Sequence, residues 1–191
     1  VGGQHVVAAV DERQRARRIE RMDRPDVVEL LERSNLLPAI FFIFSRVGCD
    51  AAVQQVRRSG LRLTSSEERA EIRAIVEERT RTLQDEDLGV LGYWDWLGNL
   101  ERGVAAHHAG LLPAFKEVVE DLFQRKLLKV VFATETLALG INMPARTVVL
   151  EKMEKFNGEA RVAITSGEYT QLTGRAGRRG IDVEGHAVVQ W

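Results

Sequence analysis

The chain has 191 residues, 45% of them hydrophobic, which is enough for one globular domain with a full core or for one domain that carries an insertion. Because 27 Lys and Arg residues face 28 Asp and Glu residues, the net charge is -1 and any nucleic-acid site must be a local patch. The single cysteine excludes an internal disulfide framework, and the lack of a long apolar run or a signal-like N-terminus predicts a cytoplasmic protein without a membrane partner.

Residues 1–24 are rich in charge and have no wide apolar face, so we interpret them as a linker cut from a longer chain. Pro25 is predicted to begin a helix that ends before Pro38. Residues 39–44 are apolar at every position and predict a strand buried on both faces, as in a parallel sheet. An amphipathic helix with Cys49 on its apolar face is predicted next, and the recurring order of strand and helix indicates βαβ units.

Residues 61–102 interrupt this order, and we interpret them as a helical and aromatic insertion that is peripheral to the sheet and partly mobile. Thr64 and Ser65 stand three positions before Glu67 and Glu68, the spacing of two possible capping boxes, ahead of a very charged helical segment. The aromatic residues at 93–96 have two interpretations, a base-stacking platform or anchors for a loop-rich segment, and the second is the more common use of aromatic residues in such segments.

The α/β order returns at Gly103. Strands are predicted at 104–106, 129–133, 147–150 and 185–190, with an amphipathic helix that starts near Phe115. Thr165 and Glu168 have capping-box spacing and are predicted to open a helix that carries the arginines of 171–180. The predicted organisation is therefore a linker at 1–24 and a domain at 25–191, with the insertion at 61–102.

The segment 171–180 places three arginines within five positions. On a helix, Arg175 and Arg178 would share one face at i and i+3, with small residues between them that allow phosphate oxygens to approach. Guanidinium groups stay charged and offer rigid forks of donors, so the pattern favours binding of a transferring phosphoryl group. The alternative is a solvated basic helix end, which is a common arrangement.

Other polar residues of interest follow the predicted strands directly. Residues 45–46 follow one strand, 107–110 a second and 134–136 a third. Ligands of open parallel sheets bind outside the carboxyl ends of the strands, so we expect all of these turns and the arginine segment to lie on one rim of the sheet. His107 has a simpler interpretation, as a side chain packed beneath its loop, because a metal site would need a third ligand nearby.

The segments 44–46, 107–110, 133–145 and 171–180 together resemble the second RecA-like domain of a superfamily 2 helicase, most closely the superkiller-type DExH-box group. Residues 92–96 and 155–158 resemble its HelY-type bacterial branch. The resemblance covers about residues 26–191. It implies an α/β fold with a RecA-like parallel sheet that has helices on both faces, plus the insertion.

For nucleotide binding, the resemblance implies that Arg175 and Arg178 are arginine fingers that reach the ATP γ-phosphate from across a domain cleft. Gln171 matches a polar residue that helps to order that site. Gly140 and Asn142 match positions near the ribose and the γ-phosphate, although Asn142 stands where many members of the family have Asp.

For nucleic-acid binding, the resemblance implies that Thr134 touches the phosphate backbone. Ser45 and Arg46, with His108 and Gly110, match motifs that lie along the path of a single strand. The implied partner is single-stranded nucleic acid, RNA rather than DNA.

The sequence contains neither a Gly-x-x-x-x-Gly-Lys-Ser/Thr loop nor an Asp-Glu-x-His stretch. The resemblance therefore implies that ATP and Mg²⁺ are bound mainly by a first RecA-like lobe, and that this chain is inactive as an ATPase alone. The expected function is the second lobe of an ATP-dependent helicase. The alternative is a non-catalytic nucleic-acid-binding or regulatory module with the same fold, and an upstream reading frame encoding a phosphate loop would distinguish the two.

Overall fold

A computed structural model describes residues 5–6, 22–83, 85–139 and 143–190. The strands of these residues are β1 (His5–Val6), β2 (Ala39–Phe42), β3 (Val104–His107), β4 (Val130–Ala133), β5 (Thr147–Leu150), β6 (Glu154–Phe156), β7 (Arg161–Ala163) and β8 (His186–Val189). The helices are α1 (Arg24–Arg33), α2 (Arg46–Arg58), α3 (Ser66–Thr80), α4 (Asp85–Val90), α5 (Tyr93–Leu100), α6 (Pro113–Gln124) and α7 (Ser166–Thr173), with a 3₁₀ helix at Glu135–Leu139.

Over the described residues, six strands form one parallel sheet in the order β1, β8, β5, β2, β4, β3. The central strand β2 pairs with two neighbours, so that Ile40 lies beside Val131 on one side and Val148 on the other. Strands β6 and β7 form a separate antiparallel hairpin. The prediction of an α/β fold with a RecA-like parallel sheet is confirmed.

The sheet is covered on both faces, which explains why the central strands β2 and β4 are apolar at every position. Ile40 and Phe42 of β2 face a cluster formed with α3, α5, α6 and α7. Ala39 and Phe41 face the opposite cluster, formed with α1 and α2. Cys49 belongs to this second cluster and is fully buried, and burial raises the pKa of its thiol to about 12. The prediction that Cys49 is a core residue is confirmed.

Residues 61–102 contribute to the core of the domain. Ile72 of α3 and Leu97 and Leu100 of α5 are buried in the cluster that also holds Phe115 of α6. The expectation that this segment is peripheral is therefore wrong, because its narrow apolar stripes pack against α6 and the sheet instead of facing solvent. The capping box of Ser65 and Glu68 is present at the start of α3. The boundaries of the predicted insertion remain a prediction.

The aromatic residues of α5 act mainly as anchors. Trp96 stacks on Phe115 with ring centroids 3.9 Å apart and an interplanar angle of 7°. Tyr93 is buried, and its hydroxyl accepts a hydrogen bond of 3.2 Å from Thr80. Only Trp94 of these three side chains is exposed. None of the described helices combines the length and apolarity that crossing a bilayer requires.

Candidate functional site

The first group of candidate residues lies in three turns, at 45–46, 107–110 and 134–136, which we call the carboxyl-end turns. Ser45 follows β2 and is the N-cap of α2, where its hydroxyl oxygen accepts a hydrogen bond of 3.1 Å from the Gly48 N–H. Its hydroxyl hydrogen remains a potential donor. Ser45 and Arg46 are both exposed at the start of this helix.

The turn after β3 is built around His108, whose side chain is almost fully buried. Its Nδ1 accepts a hydrogen bond of 3.1 Å from the Gly110 N–H, so the ring proton lies on Nε2, which donates to Asp50 at 3.0 Å. Asp50 belongs to α2, and a Cβ atom at Gly110 would lie 3.7 Å from Cδ of Arg46. The turns after β2 and β3 are therefore in contact.

Thr134 completes this group at the end of β4. Its N–H donates a hydrogen bond of 3.2 Å to the His107 carbonyl oxygen, and its hydroxyl lies 2.9 Å from the hydroxyl of Thr136. Strands β2, β4 and β3 are adjacent, so Ser45, Arg46, His108, Gly110 and Thr134 gather at the same end of the sheet. Their location agrees with the sequence analysis, while their role in binding stays a prediction.

His107 is a structural member of the same turns. Its Nε2 lies 2.8 Å from Glu120 of α6, and its Nδ1 is buried without a hydrogen-bond partner among the described residues. Burial lowers the pKa of His107, more strongly than the nearby Glu120 raises it, which favours the neutral ring at pH 7. Within the described ranges, no group of three or more His, Cys, Asp or Glu side chains is arranged to hold a metal ion.

A cavity of about 370 Å³ opens beside Ser45 at the carboxyl ends of β2 and β5, and several charged side chains line it. They are Arg24, Glu151, Lys152, Glu154, Lys155 and Arg161. Arg24 is held by the buried Glu151 through two hydrogen bonds of 2.6 and 2.8 Å. Lys152 and Arg161 have no ion-pair partner among the described residues. The sequence analysis missed both, because isolated exposed cations around a short hairpin carry no sequence signal.

The second group of candidate residues follows α7. This helix begins with the predicted capping box, in which Thr165 N–H donates to Glu168 at 2.8 Å and Glu168 N–H donates to the Thr165 hydroxyl at 3.2 Å. A hydrogen bond from Lys155 lowers the pKa of Glu168 to about 2. Negative charge in the first turn suits the positive end of the helix dipole.

Helix α7 ends at Thr173, so the prediction that it carries the arginines is wrong. Gly174 is its C-cap, and residues 174–180 form a segment that we call the arginine loop. Gly177 has a φ of +88°, which lies outside the helical region and which side chains rarely tolerate. Arg175 and Arg178 therefore do not share a helical face.

Backbone contacts with two distant segments fix the arginine loop. Ala145 N–H donates to the Arg175 carbonyl at 3.0 Å, and Gly177 N–H donates to the Ala145 carbonyl at 2.7 Å. On the other side, a Cβ atom at Gly185 would lie 2.4 Å from the carbonyl carbon and oxygen of Ala176, so only glycine fits there. Ala145 precedes β5 and Gly185 precedes β8.

The arginine loop therefore lies at the amino ends of β5 and β8, at the opposite end of the strands from the carboxyl-end turns. The expectation that all candidate residues lie on one rim is wrong for the arginines. A strand of four residues is about 13 Å long. The distance between the arginine loop and the carboxyl-end turns is therefore about 13 Å or more. The reason is that Ala145, just before the start of β5, pairs with Ala176 of the arginine loop.

Arg178 is bound by Asp182. Its Nε and Nη2 donate hydrogen bonds of 2.7 and 2.8 Å to the two carboxylate oxygens, and its backbone N–H donates a third at 3.0 Å. The hydrogen bond from Arg178 lowers the pKa of Asp182, so this carboxylate is ionised at neutral pH. Arg146 also approaches Asp182, with its Nε 4.0 Å from Oδ1. The sequence analysis missed both Asp182 and Arg146, although an acid four residues after Arg178 was a visible signal.

The remaining candidates are separate from Arg178. Arg175 is half-buried, whereas Arg179 is exposed. Gln171 is exposed on α7 and lines a cavity of about 110 Å³ with Phe44 and Glu135, which belong to the carboxyl side of the sheet. Gly140 and Asn142 lie outside the described residues.

Comparison with known proteins identifies the family of this domain. Residues 51–180 match the family described as the helicase conserved C-terminal domain. The chain is 65% identical over 177 residues to the "Probable helicase HelY" of Mycobacterium leprae, an alignment that covers 93% of this chain and 19% of that protein.

More distant relatives are similar over nearly the same part of the chain. The identity is 44% over 163 residues to the "DExH-box ATP-dependent RNA helicase DExH11" of Arabidopsis thaliana, covering 85% of this chain and 12% of that protein. The identity is 39% over 165 residues to the "Antiviral helicase SKI2" of Saccharomyces cerevisiae, and that alignment covers 86% of this chain and 13% of that protein. The chain thus spans about a fifth or less of the length of these relatives.

Proposed function

The chain belongs to the family of helicase C-terminal domains, in its superkiller-type DExH group, and we propose that it is the second RecA-like lobe of an ATP-dependent RNA helicase. The observation that carries the proposal is the arginine loop, whose backbone is fixed on two sides and whose Arg178 side chain is held by Asp182. A loop of this kind keeps cationic donors in one orientation, as stabilisation of phosphoryl transfer requires.

The residues of the arginine loop fit a phosphate group. Asp182 uses Nε and one hydrogen of Nη2, so Arg178 retains further donors on its outer edge. When bound, ATP supplies the phosphoryl group that is transferred to water. Arg175 and Arg178 would contact its γ-phosphate as arginine fingers. The described residues contain no acidic cluster suited to Mg²⁺, so we assign Mg²⁺ and most contacts to ATP to a first RecA-like lobe, the proposed partner of this domain.

The carboxyl-end turns are the proposed contact with a single strand of nucleic acid. Arg46 supplies a charged donor, and Ser45 and Thr134 supply hydroxyls. Gly110 has no side chain, so the turn that contains it lets the nucleic-acid backbone come close to the protein backbone. The charge of Lys152 and Arg161 in the adjacent cavity supports this assignment. RNA is favoured because relatives such as the Arabidopsis protein are named RNA helicases. Contacts to phosphates carry no base identity, so we propose no sequence preference.

ATP turnover by the full-length protein tests the proposal. We expect turnover that single-stranded RNA stimulates, and a smaller stimulation by single-stranded DNA of the same sequence. The 191-residue chain alone should show none, because arginine fingers by themselves position neither water nor metal. Turnover by the purified chain above a buffer blank, or turnover by the full-length protein that ignores nucleic acid, would contradict the proposal.

A further inference from the structure

We propose that Asp182 is the positioning residue of Arg178: it binds one edge of the guanidinium and leaves the other edge oriented for a phosphate. This inference rests on the proposed function of Arg178 as an arginine finger. Asp182 itself would not touch ATP. Its effect would be to restrict the guanidinium to one orientation before the nucleotide cleft closes.

The first support is the geometry of the pair. The two carboxylate oxygens of Asp182 accept from Nε and Nη2 of Arg178 at 2.7 and 2.8 Å, which is the bidentate arrangement that arginine and carboxylate prefer. The backbone N–H of Arg178 donates to the same carboxylate at 3.0 Å. Asp182 therefore fixes both the side chain and the start of the turn that carries it.

The second support is the count of donors. A guanidinium has five N–H groups, one on Nε and two on each Nη. Asp182 occupies the N–H of Nε and one N–H of Nη2. Of the remaining three, one on Nη1 and one on Nη2 point outward in parallel and form the outer edge of the fork, while the second on Nη1 points back toward Cδ. That edge again has the spacing that binds two oxygens of one phosphate.

The third support is burial and charge. The side chains of Asp182 and Arg178 are only 5% and 14% exposed, so water screens their attraction less than it would at a free surface. Arg146 shares the same carboxylate, and its Nε is buried without a hydrogen-bond partner among the described residues. Arg146, Arg178 and Asp182 line a cavity of about 370 Å³ at the amino ends of β5 and β8. Asp182 is the carboxylate that lies close to both guanidinium groups at this cavity, which Glu184 also lines.

The test is ATP turnover by the full-length protein with Asp182→Asn. An asparagine can accept from only one of the two donors, so the fork loses its fixed orientation. We expect kcat to fall on the order of 10²-fold, the loss that small misplacement of a catalytic group causes, while KM for ATP changes less than about threefold. Asp121→Asn is the matched control, because Asp121 of α6 also pairs with an arginine four residues away, Arg125, at 2.9 Å. It should leave kcat unchanged.

A double-mutant cycle separates positioning from a general structural role. If Asp182 acts by orienting the Arg178 fork, adding Asp182→Asn to Arg178→Lys, a variant that lacks the fork and is expected to keep a measurable rate, should not lower the single-turnover rate further. Losses that multiply in the double variant would overturn the inference. So would an Asp182→Asn protein with unchanged kcat, provided that Arg178→Ala is inactive. Retained ATPase in Arg178→Ala would instead overturn the proposed function itself.

Folding of the variants is checked by thermal melting. If Asp182→Asn melts below the assay temperature, Asp182→Glu takes its place, because it keeps the charge for Arg146 and moves the carboxylate by one methylene. We expect a smaller fall in kcat for Asp182→Glu, again at nearly constant KM. A folded Asp182→Glu protein with wild-type kcat would count against positioning by Asp182.

Discussion

The carboxyl-end turns and the arginine loop are built in different ways. The candidates in the turns stand at or near the ends of regular strands, where Ser45 caps α2, the Thr134 hydroxyl bonds to Thr136 and the His108 ring bonds to Asp50 of α2. The arginine loop begins where a helix stops, and segments distant in sequence hold it through Ala145 and Gly185. The comparison indicates that substitutions in the turns act locally, whereas substitutions around the arginine loop act on the orientation of the whole loop.

The strongest test of this difference is Arg178 in the full-length protein. Arginine fingers contribute on the order of 10³–10⁵ in rate, so Arg178→Ala should remove measurable ATPase. The change also leaves the buried Asp182 without its main partner, which costs about 3–5 kcal/mol when such a pair is broken. Steady-state turnover and thermal melting, measured on the same samples, therefore both change.

Arg178→Lys separates these two effects. Lysine keeps a positive charge for Asp182 but cannot bind a carboxylate and a phosphate with two parallel edges. We expect a melting temperature near that of the wild type and a kcat reduced by at least about 10²-fold. Arg179→Ala is the control, because Arg179 is exposed in the turn and should be dispensable. Normal turnover by a folded Arg178→Lys protein would make this arginine structural.

Gly185 tests whether the loop depends on distant backbone contacts. A methyl group there would lie 2.4 Å from the Ala176 carbonyl, so Gly185→Ala must push the arginine loop away from β8. We expect a loss of about 2–3 kcal/mol in the free energy of unfolding, measured by urea denaturation, together with reduced ATPase. Gly98→Ala is the control, since its Cβ position has no neighbour within 4 Å. Equal stability of both variants would contradict the described packing.

The same difference explains which features the sequence could predict. Strands β2, β4 and β5 were predictable because they are runs of wholly or mostly apolar residues, and the turns followed from the strand ends. The end of α7 was not predictable, since it is set by the pairing of Ala176 with Ala145. The role of Asp182 depends on that loop conformation. In the same way, local periodicity located the stripe of Ile72 but did not indicate that it packs in the cluster of Phe115.

His107 provides a test within the carboxyl-end turns, because it is buried there and carries no proposed binding role. Burial lowers its pKa below the ordinary value of 6.5, so the unfolded chain binds the proton more readily than the folded chain. The free energy of unfolding should therefore fall as the pH drops below about 6.5, by at most about 1.4 kcal/mol per pH unit from this group. Urea unfolding at pH 7.5 and 5.5 measures this. His107→Gln should show a smaller difference between the two pH values, and an equal difference would exclude His107 as the cause.

Arg46 tests the turns with the smallest expected effect. It is exposed at the first position of α2, where the helix begins and its positive dipole end adds to the charge of the side chain. If Arg46 contacts one phosphate, Arg46→Ala should weaken binding of single-stranded RNA by about 1 kcal/mol, or about fivefold, at any sequence. It should also lower the slope of log affinity against log salt by about one. Fluorescence anisotropy across a salt series measures both quantities.

Arg33→Ala, at the last turn of α1, removes the same charge as a control and should leave the slope unchanged. A slope that Arg46→Ala does not alter would remove Arg46 from the nucleic-acid contact.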